Sequence, residues 1–324
     1  MYEHALAGDM SPAVAGVPAR VYVPNSESNT VSVIDPATFR VVSEFPVGRL
    51  PQHVTPSWDL KTLWVDNDEG NSLTPIDPKT GAPGRAVPVE DPYNLYFTPD
   101  GSKAIVVAER LHRLDIRDPR SWALLTSVPV AYSGVDHGDF SADGRSFVVS
   151  CEFSGWLVRV DLDRMAVTGQ LHLGGSPVDV KLSPDGSVFY VANMDRGGVS
   201  VVDAATLTER SFVPTGAGAH GLYLSRDVQS LYVSNRMAGS VSVLDASTGR
   251  LRATWPTGGS PDMGGVSADG SQLWLSGRYH REVYVIDTAT GQVLHRIPVG
   301  AGPHGLSFFP QPGRYSLGHT GVFR

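Results

Sequence analysis

The sequence has one cysteine, Cys151, so no disulfide can form within the chain and burial must hold the fold together. It has no run of about eighteen apolar residues, and residues 1–19 show neither a basic start nor an apolar stretch. These absences predict no transmembrane span and no signal peptide in the printed sequence, although a mature exported form would look the same. The formal net charge of −7 argues against a general attraction to nucleic acid or acidic membranes.

Local catalytic motifs are also missing. There is no Gly-x-Ser-x-Gly elbow, no phosphate-binding glycine loop before a helix and no zinc-finger spacing. Cys151 is followed by Glu152, whose charge would raise the thiol pKa, so we expect an inert thiol and not a nucleophile. Any chemistry must therefore come from residues that lie far apart in the sequence.

What the sequence does contain is a repeat. Residues at one position of an aromatic-rich, strand-like segment recur at intervals of 41 to 43 residues: Tyr22, Trp64, Ile105, Val148, Tyr190, Tyr232 and Trp274. An aspartate that can cap its own turn follows in every unit: Asp35, Asp77, Asp118, Asp161, Asp203, Asp245 and Asp287. A period near forty is typical of a propeller blade.

Each unit contains four strand-like segments joined by turns, as in residues 179–183, 188–193, 198–203 and 209–214. The pattern predicts an all-β fold, a seven-bladed β-propeller with four antiparallel strands per blade. Residues 300–310 repeat the opening of a unit that residues 21–48 complete, so the two terminal segments should share one blade and close the ring. We expect an N-terminal extension at 1–20, one propeller domain at 21–310 and a C-terminal tail at 311–324.

Three segments carry a resemblance to a known family. Residues 22–25, 190–193 and 232–235 read Tyr-Val-Pro-Asn, Tyr-Val-Ala-Asn and Tyr-Val-Ser-Asn, and each leads into a Val-Ser-Val run that ends in aspartate. They resemble the YVTN-repeat propellers of the YncE-like family, over roughly residues 20–310. The resemblance implies the propeller fold and an exported or periplasmic location, with a cytoplasmic one left open. It implies no single activity.

In such a blade the first strand begins, and the second strand ends, at the same face of the disc, which we call the mouth. The first hairpin of each blade joins its first and second strands, and its turn serves as a reference position. Seven residues before this position stand Gln52, Tyr93, Asp136, Val178, His220, Asp262 and His304. Six residues before it stand His53, Asn94, His137, Asp179, Gly221, Met263 and Gly305. The alternation of apolar residues favours the second column as channel-lining, but one residue of register would reverse this.

These columns place histidines and aspartates around one opening. Imidazole and carboxylate groups are ligands for divalent transition metals, so the sequence predicts a metal ion held by His220, Asp262 and His304, with help from His53 or His137. The alternative is structural: Pro-His-Gly and Ala-His-Gly can simply open a strand, with each ring bonded to a neighbouring loop carbonyl.

A further column follows the second strands at the mouth. Arg236 and Arg278 lie there in neighbouring blades, and Glu109 and Glu152 lie on the other side of the ring. Arginine binds carboxylate or phosphate bidentately, so both arginines, with Tyr93 and Asp136, are candidate ligand-binding residues. Glu109 and Glu152 are candidate catalytic bases. The alternative is a solvated rim without a ligand.

Three functions remain open from the sequence. The first is a monomeric propeller that binds a small polar or anionic ligand at the mouth, with or without a metal, and with a protein partner left open. The second is a metal-dependent hydrolase or lyase at the same site. The third is a tetrapyrrole-binding propeller, because the haem d1 proteins resemble this architecture; no c-type haem attachment pattern is present.

Overall fold

The fold was determined as a computed structural model, which describes residues 2–319, 323 and 324. Twenty-eight strands make seven sheets of four. The first fourteen are β1 (Arg20–Asn25), β2 (Thr30–Asp35), β3 (Arg40–Pro46), β4 (Pro51–Pro56), β5 (Leu63–Asn67), β6 (Ser72–Ile76), β7 (Val87–Pro88), β8 (Asn94–Phe97), β9 (Ala104–Ala108), β10 (Arg113–Arg117), β11 (Leu124–Pro129), β12 (Val135–Phe140), β13 (Ser146–Cys151) and β14 (Trp156–Asp161).

The others are β15 (Ala166–His172), β16 (Pro177–Leu182), β17 (Val188–Asn193), β18 (Gly198–Asp203), β19 (Glu209–Pro214), β20 (Ala219–Leu224), β21 (Ser230–Asn235), β22 (Ser240–Asp245), β23 (Leu251–Pro256), β24 (Pro261–Val266), β25 (Gln272–Gly277), β26 (Glu282–Asp287), β27 (Val293–Pro298) and β28 (Ser307–Phe309). Two short 3₁₀ helices span Pro12–Val14 and Glu152–Ser154.

Blade 1 closes the ring. Strand β28 pairs with β1 in the register Val21 to Phe308, and the sheet order is β28-β1-β2-β3. Blades 2 to 7 then take four consecutive strands each, from β4–β7 to β24–β27, and every pairing within the sheets is antiparallel. The predicted seven-bladed propeller, four strands per blade and shared closing blade are confirmed.

Turn chemistry explains why the chain reverses where it does. In all seven blades the repeated aspartate accepts a hydrogen bond from the backbone N–H two residues later, as Asp245 Oδ1 does from Ser247 at 3.0 Å. The first hairpins use a serine or threonine that donates to the hairpin aspartate, as Ser183 Oγ does to Asp185 at 2.6 Å. These local bonds fix the hairpins without tertiary help.

The core lies between the blades. The second strand of each blade is largely buried, as in β17, where all six residues are inaccessible, whereas the outermost strands such as β23 are mostly exposed. Trp274, in the repeated aromatic column, is fully buried. Seven apolar clusters each join the facing sheets of adjacent blades. The blades therefore stabilise one another through side-chain packing.

The two ends of the chain meet on the face opposite the mouth. Tyr315 stacks on Trp58 of a first hairpin, with ring centroids 5.4 Å apart. Arg324 contacts Asp139 at 3.3 Å, and its guanidinium lies 4.2 Å from the centre of the Tyr2 ring. The Tyr2 hydroxyl in turn donates to the carbonyl of Leu182 at 2.8 Å. The described residues of the C-terminal tail, 311–319, 323 and 324, thus lie across the channel at that face.

Candidate functional site

The start of the innermost strand is irregular in most blades. Register shifts lie within the first residues of β4, β12, β16, β20 and β24, between the mouth end and the regular part of the strand. A bulge of this kind re-aims side chains that strict alternation would send to opposite faces. Residues from both candidate columns therefore reach the channel, and the rings of His137 and His220 lie 6.1 Å apart although they come from different columns.

The first histidine group comprises His53, His137 and His319. One ligand atom from each lies within 4.8 Å of the others, and all three residues are buried. The Nε2 atoms of His53 and His137 are 3.3 Å apart. The His319 ring lies 4.5 Å from the His53 ring and 4.4 Å from the His137 ring, centroid to centroid. Blade 2, blade 4 and the tail thus bring three imidazoles to one point.

The second histidine group comprises His220, Asp262 and His304, whose ligand atoms also lie within 4.8 Å. His220 Nδ1 is 3.1 Å from Asp262 Oδ1, and His304 Nε2 is 3.7 Å from Asp262 Oδ2. Arg236 donates from both Nε and Nη2 to Asp262 Oδ1, at 2.9 and 2.7 Å. The groups adjoin, since the His53 and His304 rings are 5.0 Å apart.

In four of the five histidines the Nδ1 atom faces an acceptor. His53 Nδ1 lies 2.9 Å from the Tyr93 carbonyl, and His304 Nδ1 lies 3.2 Å from the Gln52 carbonyl. His220 Nδ1 lies 2.9 Å from Met263 Sδ and 3.1 Å from Asp262 Oδ1, and His137 Nδ1 lies against the Asp136 carboxylate without a hydrogen bond. Because carbonyl oxygens only accept, the Nδ1 atoms of His53 and His304 carry the proton, and these two rings offer the Nε2 lone pair.

Most of these rings are neutral. Burial, aided by neighbouring cationic groups, lowers the pKa of His53, His220, His304 and His319 well below the usual value. His137 differs, because burial lowers its pKa but the Asp136 carboxylate more than compensates and the net shift is upward. Neutral imidazole is the form that binds a metal.

His319 is a candidate site residue that no pattern in the sequence indicated. It belongs to the tail, outside the repeat, so no column assigned it a place. Leu317 accepts a hydrogen bond from the N–H of Phe97 at 3.0 Å, and Gly318 bridges Tyr96, which carries the tail up into the channel. Among residues 2–319, 323 and 324, neither ring nitrogen of His319 has a hydrogen-bond partner.

The acidic side of the mouth contains Glu109, Glu152, Asp136 and Tyr93. Burial, and then the charge of Asp136, raise the pKa of Glu109 to about 9 and that of Glu152 to about 8. Both side chains therefore hold a proton at neutral pH. The Tyr93 ring lies 5.6 Å from the His53 ring and 5.8 Å from the His137 ring, so this side adjoins the first histidine group.

Two other predicted residues have structural roles. Asp179 accepts backbone hydrogen bonds from Val180 at 2.9 Å and from Leu222 at 2.8 Å, so it ties two neighbouring inner strands together. Cys151 is fully buried, and burial raises the pKa of its thiol to about 12, which disfavours the reactive thiolate. All the other candidate site residues, including Arg236 and Arg278, lie at the mouth end of the channel.

These features define a class: a seven-bladed β-propeller with a histidine-rich channel that is closed at one end by its own tail. The sequence model of the family described as YNCE-like beta-propeller matches residues 3–312, and the chain belongs to this YncE-like β-propeller family. The resemblance read from the Tyr-Val-x-Asn segments is confirmed. A comparison with curated proteins finds no match.

Solved structures share the fold at low identity. The periplasmic gluconolactonase PpgL of Pseudomonas aeruginosa is 19% identical, with 91% of this chain and 99% of that chain covered and a TM-score of 0.74. A functionally unknown protein of Desulfotomaculum acetoxidans is 17% identical, with 90% and 99% covered and a TM-score of 0.76. Hydrazine synthase of Kuenenia stuttgartiensis is 19% identical, with 78% and 87% covered and a TM-score of 0.67. Such identities show the fold alone.

The helices of the described residues are the two short 3₁₀ turns. Within residues 2–319, 323 and 324, none has the length and apolar character that a bilayer crossing requires.

Proposed function

We propose that this propeller binds a transition-metal ion in its channel, with His53, His137 and His319 as the ligands. The observation that carries the proposal is the pair of Nε2 atoms 3.3 Å apart. In His53 the proton is on Nδ1, where it bonds to the Tyr93 carbonyl, so Nε2 is a lone pair. If His137 Nε2 is also a lone pair, two nitrogens at this distance require a cation between them, whereas a proton on His137 Nε2 would make an ordinary hydrogen bond.

The distance itself fits a metal. Two ligands at the usual zinc–nitrogen distance and a tetrahedral angle have their nitrogen atoms about 3.3 Å apart. The second ring nitrogens are held as in known metal sites, where a carboxylate or a backbone carbonyl bonds the ring nitrogen that does not bind the ion. The Tyr93 carbonyl does this for His53, and the Asp136 carboxylate adjoins Nδ1 of His137 without a hydrogen bond.

A shared proton is the competing explanation. A proton on His137 Nε2, either in the neutral ring or in the imidazolium that its raised pKa favours, would donate to His53. That proton would satisfy two rings but would leave the third without a partner, since neither nitrogen of His319 is bonded within the described residues. A metal ion accounts for all three rings. Neutral imidazoles suit zinc, copper, nickel or iron, and three of them leave a coordination position open.

The second histidine group stays a candidate for a metal. Asp262 Oδ2 is buried and has no hydrogen-bond partner within the described residues, which favours a ligand there. The nearby guanidinium of Arg236 is the opposing feature, because it already compensates the carboxylate and repels a cation. We therefore assign the ion first to the first histidine group.

One observation favours catalysis as the second candidate function, a metal-dependent hydrolase or lyase. Glu109 and Glu152 lie at the mouth beside this group, and their pKa values of about 9 and about 8 leave them protonated at neutral pH. They would then act first as general acids that protonate a leaving group, and as bases only after that step. A metal would polarise the bond to be broken.

The other two interpretations are less well supported by the geometry. A tetrapyrrole would have to lie above the imidazoles, because their rings fill the channel axis at centroid separations of 4.4 to 6.1 Å. An extracytoplasmic location is supported by the family and by the periplasmic relative from Pseudomonas aeruginosa. Fractionation of cells that express the full-length gene tests it, and a cytoplasmic pool alone would contradict it.

The test of the metal proposal is metal content. We expect the protein, purified without chelator or affinity tag, to contain about one zinc, copper, nickel or iron ion per chain by mass spectrometry, or to take one up when offered. The variant His319→Ala should lose it, and the matched surface variant His172→Ala should retain it; far-ultraviolet circular dichroism checks that both fold. Equal metal content in the two variants, or no ion bound by the wild type, would overturn the proposal.

A further inference from the structure

The two mouth arginines occupy equivalent positions of the repeat but have different partners. Arg236, in blade 6, uses Nε and Nη2 to bind Asp262 of blade 7. Arg278, in blade 7, uses only Nη1, which donates to Ser26 Oγ at 3.0 Å and to the Gly302 carbonyl at 3.4 Å. The two groups that accept hydrogen bonds from Arg278, a serine hydroxyl and a backbone carbonyl, are thus neutral.

The repeat explains the difference. A step of 42 residues takes Arg236 to Arg278, and the same step takes the carboxylate at 262 to an imidazole at 304. Blade 1 therefore has His304 at the position where blade 7 has Asp262. As a result, Arg278 faces an imidazole and not a carboxylate of the next blade. Arg278 forms no salt bridge within the described residues, and positions 1 and 320–322 contain no acidic side chain.

The free edge of Arg278 has a defined shape. Nε and Nη2 make no hydrogen bond to residues 2–319, 323 or 324, whereas Nη1 is held by blade 1. Nε–H and Nη2–H point in parallel and bind a planar carboxylate bidentately. Ser26 is buried and bonded to the Gly302 carbonyl at 2.8 Å, so it fixes the orientation of the guanidinium.

The surroundings favour a negative ligand. The blade 1 residue at the position of Asp262 is His304, whose imidazole carries no negative charge. The glutamates of the mouth lie on its other side, beside Asp136. A guanidinium that is half removed from water and lacks a counterion is costly unless an anion joins it.

We infer that Arg278, positioned by Ser26 in front of His304, forms a subsite for the carboxylate of a small ligand, which takes the place of the aspartate found one blade earlier. The subsite goes beyond the metal proposal and does not depend on it. A phosphate oxyanion could use the same two N–H groups, so the experiment separates the two chemistries.

The experiment is a thermal-shift and calorimetric titration of the protein after removal of metal with a chelator. Sodium acetate and sodium phosphate are compared with sodium chloride at matched ionic strength. We expect acetate to raise the melting temperature of the wild type and of Arg49→Gln, which loses an exposed, paired arginine from the same face. In Arg278→Gln, acetate should bind about 10- to 100-fold more weakly, because charge-assisted bidentate bonds are lost.

A second variant tests the repeat argument directly. His304→Asp restores the carboxylate of the neighbouring blade, so it should abolish acetate binding while Arg278 is still present. An acetate response in the wild type that both variants retain, or no response in the wild type, would overturn the subsite. A response to phosphate alone would overturn its carboxylate class.

The outcome is separable from that of the metal proposal. His319→Ala should keep the full acetate response, because His319 lies in the first histidine group and not beside Arg278. An acetate response without any metal uptake would leave the subsite intact and end the metal proposal. Metal uptake without an acetate response would support the metal proposal and overturn the carboxylate subsite.

Discussion

The two histidine groups of the channel are neighbours but are charged differently. In the first, the carboxylate of Asp136 and the carbonyl of Tyr93 stand behind His137 and His53, and no arginine forms an ion pair with the group within the described residues. In the second, the carboxylate of Asp262 is a member of the group and is already bonded to Arg236. The same residue types can therefore form either a group without a cationic partner or a group whose negative charge is already neutralised by an arginine of the protein.

The difference shows that a list of imidazoles and carboxylates does not define a metal site. Whether such a group can bind a metal ion depends on whether its carboxylates and ring nitrogens are already paired with a cationic side chain. In the second group, Arg236, in the loop after β21, forms an ion pair with Asp262 and so occupies the carboxylate that could otherwise bind a metal ion. The predictions below test this distinction, from the largest expected effect to the smallest.

The largest effect should separate the two groups by metal affinity. We expect the double variant His53→Ala/His137→Ala to lose at least about 1000-fold in affinity, since two of three ligands are removed. The double variant His220→Ala/His304→Ala should lose about 10-fold or less, through altered surroundings. Competition with a chromophoric chelator measures both. The reverse order would place the ion at the second group, as predicted from the sequence.

Removal of the Arg236 side chain should make the second histidine group able to bind a metal ion. Arg236→Gln leaves the buried Asp262 carboxylate without its partner and should reduce the free energy of unfolding by about 3 kcal/mol. A divalent metal should restore part of this loss, because Asp262 and the two histidines can then bind it. Chemical denaturation with and without zinc measures the effect, with Arg49→Gln as control. Zinc that fails to stabilise the variant more than the wild type would contradict the charge explanation.

The tail position of His319 can be changed without touching the ring. A Cβ at Gly318 would lie 2.3 Å from the carbonyl oxygen of Leu95, so Gly318→Ala must push the tail away from β8. We expect about 10- to 100-fold weaker metal binding, the size seen when supporting residues of a metal site are lost. Gly8→Ala is the control, because Gly8 also has a positive φ, 86°, but a Cβ there would meet no atom within 4 Å. Unchanged affinity in Gly318→Ala would remove His319 from the ligand set.

The smallest effect concerns pH and Glu109. Its folded pKa of about 9 lies above the ordinary value of 4.5, so the folded protein keeps a proton that the unfolded chain releases. This contribution to stability is complete below the ordinary pKa and is lost as the pH rises towards about 9. Glu109 is only partly buried, so water screens much of this shift, and in metal-free protein Glu109→Gln should be about 1–2 kcal/mol more stable than wild type at pH 8, and equal at pH 4.

Urea denaturation at the two pH values measures this difference, and Glu27→Gln, at an exposed position, serves as the control. A stability gain of equal size at both pH values would show that the effect is not one of protonation.

The sequence predicted most of the fold because the relevant signals are local. The aspartates that end each third strand cap their own turns, and the spacing of 41 to 43 residues needs no tertiary information to be recognised. The two candidate columns could not be assigned to one face, because the bulges at the start of strands such as β12 and β20 break the alternation on which that assignment rests.

The sequence by itself determined the seven blades, the closure between residues 20–22 and 307–309, and the collection of histidines, arginines and acidic residues at one mouth. A repeat fixes equivalent positions, and equivalent positions meet around the axis. Only the tertiary structure decided that His319 of the tail joins them, that Asp262 is compensated by Arg236, and that Arg278 is not. These depend on contacts between different blades and on a segment outside the repeat, whose partners no spacing in the sequence encodes.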